Sequence, residues 1–152
     1  IQYLELLGHV VMKDGENVVK GNKFTYEPSR EEYQVSGNTT SDLTFDDGTK
    51  IFISGKYQQL NKKTKNVIAG GNVKILYKDY VATGPKAQML SDSKTGKPNV
   101  IIFTGRSKIV QNQSAVEADR IKMTLRPKAF YADGNVKTSL SGSDDDNMEF
   151  MP

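Results

Sequence analysis

The sequence predicts an all-β protein, built as an antiparallel or wound sheet of repeated strand-turn-strand units. Three observations carry this. Glycine-led segments recur in phase: Gly8-His9-Val10, Gly37-Asn38-Thr39, Gly71-Asn72-Val73, Gly105-Arg106-Ser107 and Gly134-Asn135-Val136, their glycines 29, 34, 34 and 29 residues apart. Apolar and polar residues alternate at period two, as half-buried strands require. No window presents a helical apolar face of useful length.

Taken in order, each unit follows one scheme. A glycine starts a strand, a polar turn follows, and a second strand carries a second small residue. Those residues are Gly21, Gly84 and Ala118, each thirteen positions after the leading glycine, and Gly55, eighteen positions after Gly37. The turns are expected at Asp14-Gly15, Asp46-Asp47-Gly48, Lys78-Asp79 and Asn112. Asp-Gly between alternating apolar residues is a strong hairpin signal. Ile121, Met123 and Leu125 alternate with Lys122 and Thr124. Val73, Ile75 and Tyr77 alternate with Lys74 and Leu76, and Leu43-Phe45 and Ile51-Ile53 flank their turn in one phase. Glycine at such positions permits the bulge or corner where a strand passes from one sheet to the next. Residues 91–98 are polar and turn-rich and are expected to form an exposed loop. Residues 1–140 are read as one domain, and residues 141–152 as a disordered acidic tail.

The bulk numbers agree. A chain of 152 residues suits one domain and buries roughly 70% of its unfolded surface. Hydrophobic residues make up 36%, a thin supply that suits a narrow sandwich better than a sphere. With no cysteine, neither a disulfide framework nor a thiolate metal site can form. No apolar run approaches the ~18 residues of a membrane span. An export signal is expected to have been removed ahead of Ile1. Charge is uneven: residues 1–70 balance, residues 71–137 hold twelve bases against five acids, and residues 138–152 hold four acids and no base. The basic stretch is either a solvated strand face protected by lysines or a surface for phosphate- or carboxylate-bearing partners.

Catalytic chemistry finds no support in the composition. The single histidine, His9, stands among Gly8, Val10 and Val11 at a strand start, with no nucleophile singled out beside it. One histidine cannot build a zinc site alone. Asp144-Asp145-Asp146 lacks the spacing and glycine of a calcium loop. The protein is expected not to be an enzyme, with no catalytic residue, metal or cofactor.

The stretch from Asn99 to Thr138 carries a likeness. It runs through Gly105, Ile109-Val110-Gln111, Ala118-Asp119, Ile121 and Met123 to Ala132-Asp133-Gly134-Asn135-Val136. The same scheme covers Ala69 to Leu90 and, more faintly, Leu7 to Gly55. This pattern resembles the OstA/LptA-like lipopolysaccharide-transport family, with Arg106-Ser107 departing from its Asn-Val. The resemblance implies an OstA-like β-jellyroll of two facing antiparallel sheets with lipid acyl chains between them. It implies a periplasmic carrier that bridges the inner and outer membranes and stacks edge to edge with itself and with LptC-like and LptD-like modules. With neither an N-terminal membrane helix nor a barrel in the sequence, the resemblance points to the soluble bridge type, and a trimmed LptC-like chain is the alternative. The ligand implied is lipopolysaccharide, through its lipid A part. Candidate lining residues of the slot are Phe24, Tyr26, Phe45, Ile51 and Ile53 in one part, and Ile75, Tyr77, Ile109, Ile121, Met123, Leu125 and Phe130 in the more basic part. Each could equally be ordinary core, because in such a fold the core is the groove. Two other readings remain: a self-assembling β-solenoid scaffold with no lipid, and a carbohydrate-binding β-domain.

Overall fold

The strand periodicity becomes ten strands in the computed structural model, which describes residues 4–45, 48–125 and 127–139. They are β1 (Leu4–Asp14), β2 (Asn17–Glu27), β3 (Glu32–Thr44), β4 (Lys50–Asn61), β5 (Val67–Tyr77), β6 (Tyr80–Ser91), β7 (Pro98–Gln111), β8 (Ser114–Leu125), β9 (Lys128–Asp133) and β10 (Lys137–Ser139). No helix occurs among the described residues. The expected tail, residues 141–152, and the turn residues Asp46 and Asp47 lie outside them.

Each strand pairs antiparallel with the one before it, from β1 to β8, and β9 and β10 both pair with β8. The hydrogen-bonded path is therefore one ten-stranded sheet that does not close. The two facing layers expected from the sequence are the two halves of this single sheet. A one-layer sheet cannot bury a side chain by itself, yet Ile101 and Phe103 are 0% exposed and Ile51, Ile53 and Ile121 are 1% exposed. The halves must cover one another, and direct contacts show that they do. Gln58 reaches back across its own strand: its Nε2 donates to Thr39 Oγ1 at 3.0 Å and to the Ile53 carbonyl at 3.1 Å, and its Oε1 accepts from Ser41 Oγ at 2.6 Å. The Tyr80 and Phe130 rings, on β6 and β9, meet with centroids 5.1 Å apart.

A crease makes the fold-over possible. At mid-length every odd-numbered strand from β1 to β7 carries one residue more than its neighbours. For example, Thr104 to Ser107 spans three steps while its partners Arg120 to Ala118 span two. The register shifts line up from β1 to β8. The leading glycines sit here. Sequence reading put them at strand starts, but Gly8, Gly37, Gly71 and Gly105 lie inside long strands and bend them. Only Gly134 falls between strands, at the crossing from β9 to β10.

The Gly-Asn pairs now have a physical reason. Gly37-Asn38, Gly71-Asn72 and Gly134-Asn135 each place two consecutive residues at positive φ, +84/+50, +79/+54 and +82/+48. Glycine enters this region freely, and asparagine tolerates it better than most residues do. Where Arg106 replaces asparagine, only Gly105 has positive φ. The second small residues line the inner side of the same crease. A Cβ on Gly55 would lie 2.9 Å from the Gly70 carbonyl, one on Gly21 would strike Val35, and one on Gly84 would strike Ser107.

These contacts rank the glycines. A Cβ on Gly71, at φ +79, would meet Lys56 Cβ at 2.6 Å, whereas one on Gly8, at φ +83, meets nothing within 4 Å. Gly8→Ala should cost about 1–2 kcal/mol, from backbone conformation alone. Gly71→Ala should cost about 1–3 kcal/mol more, because a neighbouring strand must yield. Urea unfolding of the two variants checks the difference.

Candidate functional site

The upper half of the sheet ends at the β1–β2, β3–β4, β5–β6 and β7–β8 turns. The lower half ends at the β2–β3, β4–β5, β6–β7 and β8–β9 turns. Opposite the crease, the two rows of turns form the lips of a slot that leads to the apolar interior.

Over most of its length that interior is sealed. One cluster joins Leu43, Ile51, Ile53, Ile75, Tyr77, Ile109, Ile121, Met123, Leu125 and Phe130, and the half-buried Phe45 packs on its edge. Nine of the twelve sequence-derived lining residues thus come together in one packed core, with Phe45 at its margin. Phe24 is buried in a second, smaller cluster with Val19 and Val35, and Tyr26 is half-buried beside it. At the far end the slot is shut by Phe130 against Tyr80, with Lys128 Nζ 4.8 Å above the Tyr80 ring. Among the described residues, the buried Tyr80 hydroxyl has no hydrogen-bond partner.

Between the clusters lie Thr39, Ser41 and Gln58, at 1%, 0% and 1% exposure, held by the hydrogen bonds already described. Buried polar groups must be paired, and these pair with one another across the slot. Leu60 touches both clusters and joins them.

At the β1 end the interior is not sealed. Opposed residues in an antiparallel pair share a face, so the register assigns β1. Leu4 faces Tyr26, Leu6 faces Phe24, Val10 faces Gly21 and Met12 faces Val19. These four side chains are therefore on the apolar, inner side, yet Leu4 and Leu6 are 45% and 43% exposed. Tyr33 completes the surface, stacked on Tyr26 at 4.5 Å and tilted against Phe24 at 5.3 Å between ring centroids. Sequence reading missed Leu4, Leu6, Val10, Met12, Tyr33 and Leu60. The Leu4–Leu6 alternation was visible, but Leu7 and Val11 on the opposite face blurred it.

A cavity of about 90 Å³ opens between the lips near this end. Its floor is apolar, from Met12, Val19, Leu43, Phe45, Leu60 and Val67. The lower lip adds Lys62 and Lys65, and the upper lip adds Asp14 and Asn17. Neighbouring turns tie the lower lip into a rail. The Glu31 carbonyl accepts from the Lys62 amide at 2.8 Å, Ser91 Oγ donates to the Lys65 carbonyl at 3.0 Å, and the Ser91 amide donates to Asn66 Oδ1 at 2.8 Å. Asp92 holds the next turn: its Oδ1 accepts from the Lys94 and Thr95 amides at 2.8 and 3.0 Å. The Thr95 and Lys94 amide bonds keep its carboxyl below the usual carboxylate range.

The described residues include no group of three or more His, Cys, Asp or Glu able to hold a metal ion. None of their helices is long and apolar enough to cross a membrane, since they form no helix. His9 is exposed on β1.

A single creased sheet folded over an apolar interior is the β-jellyroll of LptA-like proteins. Among solved structures, the chain is similar to LptH of Pseudomonas aeruginosa, the LptA-homologous periplasmic component of the lipopolysaccharide transport device. The TM-score is 0.70 at 11% sequence identity, over 83% of this chain and 95% of that one. No family model matches the sequence, and no curated protein does. The neighbour is a transport component rather than an enzyme.

The polar bridge across the slot can be tested alone. Gln58→Ala leaves Ser41 buried without its partner, while Thr39 keeps its bond to the Gly55 carbonyl, and should cost about 2–4 kcal/mol. Gln58→Met combined with Ser41→Ala removes the stranded polar group and should recover part of that loss. Thermal unfolding of both variants gives the comparison.

Proposed function

We propose that this chain is a periplasmic lipopolysaccharide-binding carrier, one module of a bridge that moves the glycolipid from the inner to the outer membrane, with acyl chains held between the two halves of the sheet. Residues 1–140 form the module in this reading. The observation that carries it is the unsealed β1 end. Leu4 and Leu6 face the interior side yet remain more than two-fifths exposed. Exposed, contiguous apolar surface marks a binding site, and burial of acyl chain is worth ~0.8 kcal/mol per CH₂. The fold shared with LptH supports the same assignment.

The sealed core changes where a ligand would enter. Acyl chains dock first against Leu4, Leu6, Val10, Met12, Phe24, Tyr26 and Tyr33. Ile51, Ile53, Ile75, Tyr77, Ile109, Ile121, Met123, Leu125 and Phe130 are reached only if the halves part, with Phe45 at the margin. No carboxylate, thiol or imidazole constellation is needed, and the protein acts without catalysis or cofactor.

The free edges support association of modules. Among the described residues β1 has one unpaired side, and β9 and β10 form the other edge of the sheet. Unpaired strand edges template further pairing. On the outer face of β1, Leu7 and Val11 are 71% and 51% exposed and would be covered by a neighbouring strand. The partners in this reading are a second copy of the chain and LptC-like and LptD-like jellyrolls. The same edge favours, as a second reading, a self-assembling scaffold without lipid.

Two experiments separate these readings. A photo-crosslinking residue at Leu6 should capture lipopolysaccharide, while one at Leu7, its outward neighbour, should capture little. Equal capture at both positions, or no lipid extracted from the purified protein, counts against the carrier. Sedimentation across a wide concentration range should show association that Leu7→Lys with Val11→Lys weakens, because lysine on an edge opposes strand addition.

A further inference from the structure

The two lips of the slot carry different charge. The lower lip has three described turns, residues 28–31, 62–66 and 92–97, holding six bases and two acids. The described residues of the upper-lip turns, 15–16, 48–49, 78–79 and 112–113, hold one base and two acids. Among the described residues, no carboxylate is ion-paired with Lys62, Lys63, Lys65, Lys94 or Lys97. At the cavity this asymmetry is focused: Lys62 and Lys65 stand on one side of an apolar floor and Asp14 on the other.

From this arrangement we propose that the cavity takes an amphiphile with a phosphate or carboxylate at the head of its acyl chain, the anion held at Lys62 and Lys65 and the chain on Leu60 and Phe45. The inference rests on the lipid-binding reading and adds the chemistry and orientation of the headgroup. Three features carry it. The lysines flank the apolar floor directly, so one ligand can satisfy both. Their backbones are fixed by the bonds from Lys62 to Glu31 and from Ser91 to Lys65, which hold the basic rail at a set distance from the floor. Asp14 on the facing lip repels an anion bound the wrong way round, so the ligand's direction across the slot is set as well as its charge. Ammonium groups with no ion-pair partner among the described residues are available for charge-assisted bonds to an oxyanion.

The test uses the full chain and displacement of the neutral dye Nile red by three dodecyl amphiphiles below their aggregation limits. These are dodecyl phosphate, dodecyl maltoside and dodecyltrimethylammonium. Dodecyl phosphate should bind on the order of tenfold more tightly than dodecyl maltoside, and the cation should bind most weakly. The preference should shrink as salt is raised. Lys62→Gln with Lys65→Asn should abolish it while leaving maltoside binding unchanged. Asparagine is chosen because Lys65 has φ +65, which asparagine tolerates. Inorganic phosphate alone should neither bind nor displace the dye. Equal binding of all three amphiphiles, or a preference that survives the double variant, overturns the headgroup assignment and leaves the lipid slot standing. Phosphate binding without a chain also overturns it, in favour of a free-anion site. Failure of all three amphiphiles to bind overturns the lipid-binding reading itself.

Discussion

Every feature of this molecule depends on the need of one sheet to bury one apolar face without help from another element. The ten-stranded sheet has a continuous apolar side and, among the described residues, no helix or second sheet to cover it. The remaining solution is to double the sheet back on itself. That requires a bend in every long strand at the same level, and a bend at fixed hydrogen bonding requires an extra residue in alternate strands. Glycine is the residue that makes this bend at least cost, because positive φ and a crowded neighbour both exclude a Cβ. Gly37 lies against Asn22, Gly71 against Lys56, Gly105 against Pro85 and Gly134 against Asp119. Gly37, Gly71 and Gly105 are thus roofed by the preceding even strand, while the second small residues Gly21, Gly55 and Gly84 are crowded by the strand that follows them.

Folding over also creates the slot. Two halves hinged at a crease must meet at their free ends, and how tightly they meet depends on the side chains at the turns. Along most of the chain, aromatic and branched residues fill the gap. Gln58, Ser41 and Thr39 tie the halves by hydrogen bonds where an apolar filling gives way to a smaller cluster. A polar bridge inside a sandwich is costly unless complete. Here it marks the boundary between an interior that is closed and one that is open.

How much of this was legible in the sequence follows from the range of each signal. Period-two alternation is local, so Ile75–Tyr77 and Ile121–Leu125 were placed on one buried face, and the turns at Gly15, Lys78-Asp79 and Asn112 fell where expected. The phased glycines located the crease but not its nature. A glycine that begins a strand and one that bends it look alike in sequence, and only the pairing register tells them apart. Exposure along β1 was not legible at all. Leu4 and Leu6 have the pattern of a buried face, and their exposure arises because no strand packs beyond β1 in the described chain. That is a property of position in the sheet, which side-chain identity does not encode. The lips escaped for a related reason. The Lys62/Lys65 and Lys94/Lys97 pairs lie in turns far apart in sequence, and only the alternation of hairpins brings them to one side. The basic bias of residues 71–137 was real, but it straddles both halves and hid the rail.

The two ends of the sheet are finished differently, and this gives the module a direction. At the C-terminal end the last strand is divided: β9 pairs with the lower half of β8 and β10 with the upper half. The crossing between them is clasped by Arg106, whose Nη1 donates to the Asn135 carbonyl at 2.7 Å and to Asp119 Oδ1 at 3.2 Å, while Asn135 Nδ2 donates to Asp119 Oδ2 at 2.8 Å. Division lets each half close independently, and Phe130 on β9 then reaches Tyr80 and shuts the slot. At the N-terminal end β1 runs unbroken through the crease, and Gly8 has no residue above it where the other odd strands are roofed. Among the described residues no strand pairs with the outer side of β1, so the inner face of its lower arm is covered from one side only. Leu4 and Leu6 on that arm stay exposed, while Val10 and Met12 on the other pack against the smaller cluster. A ligand or a neighbouring strand that covers β1 would complete at this end the burial that β9 and β10 complete at the other.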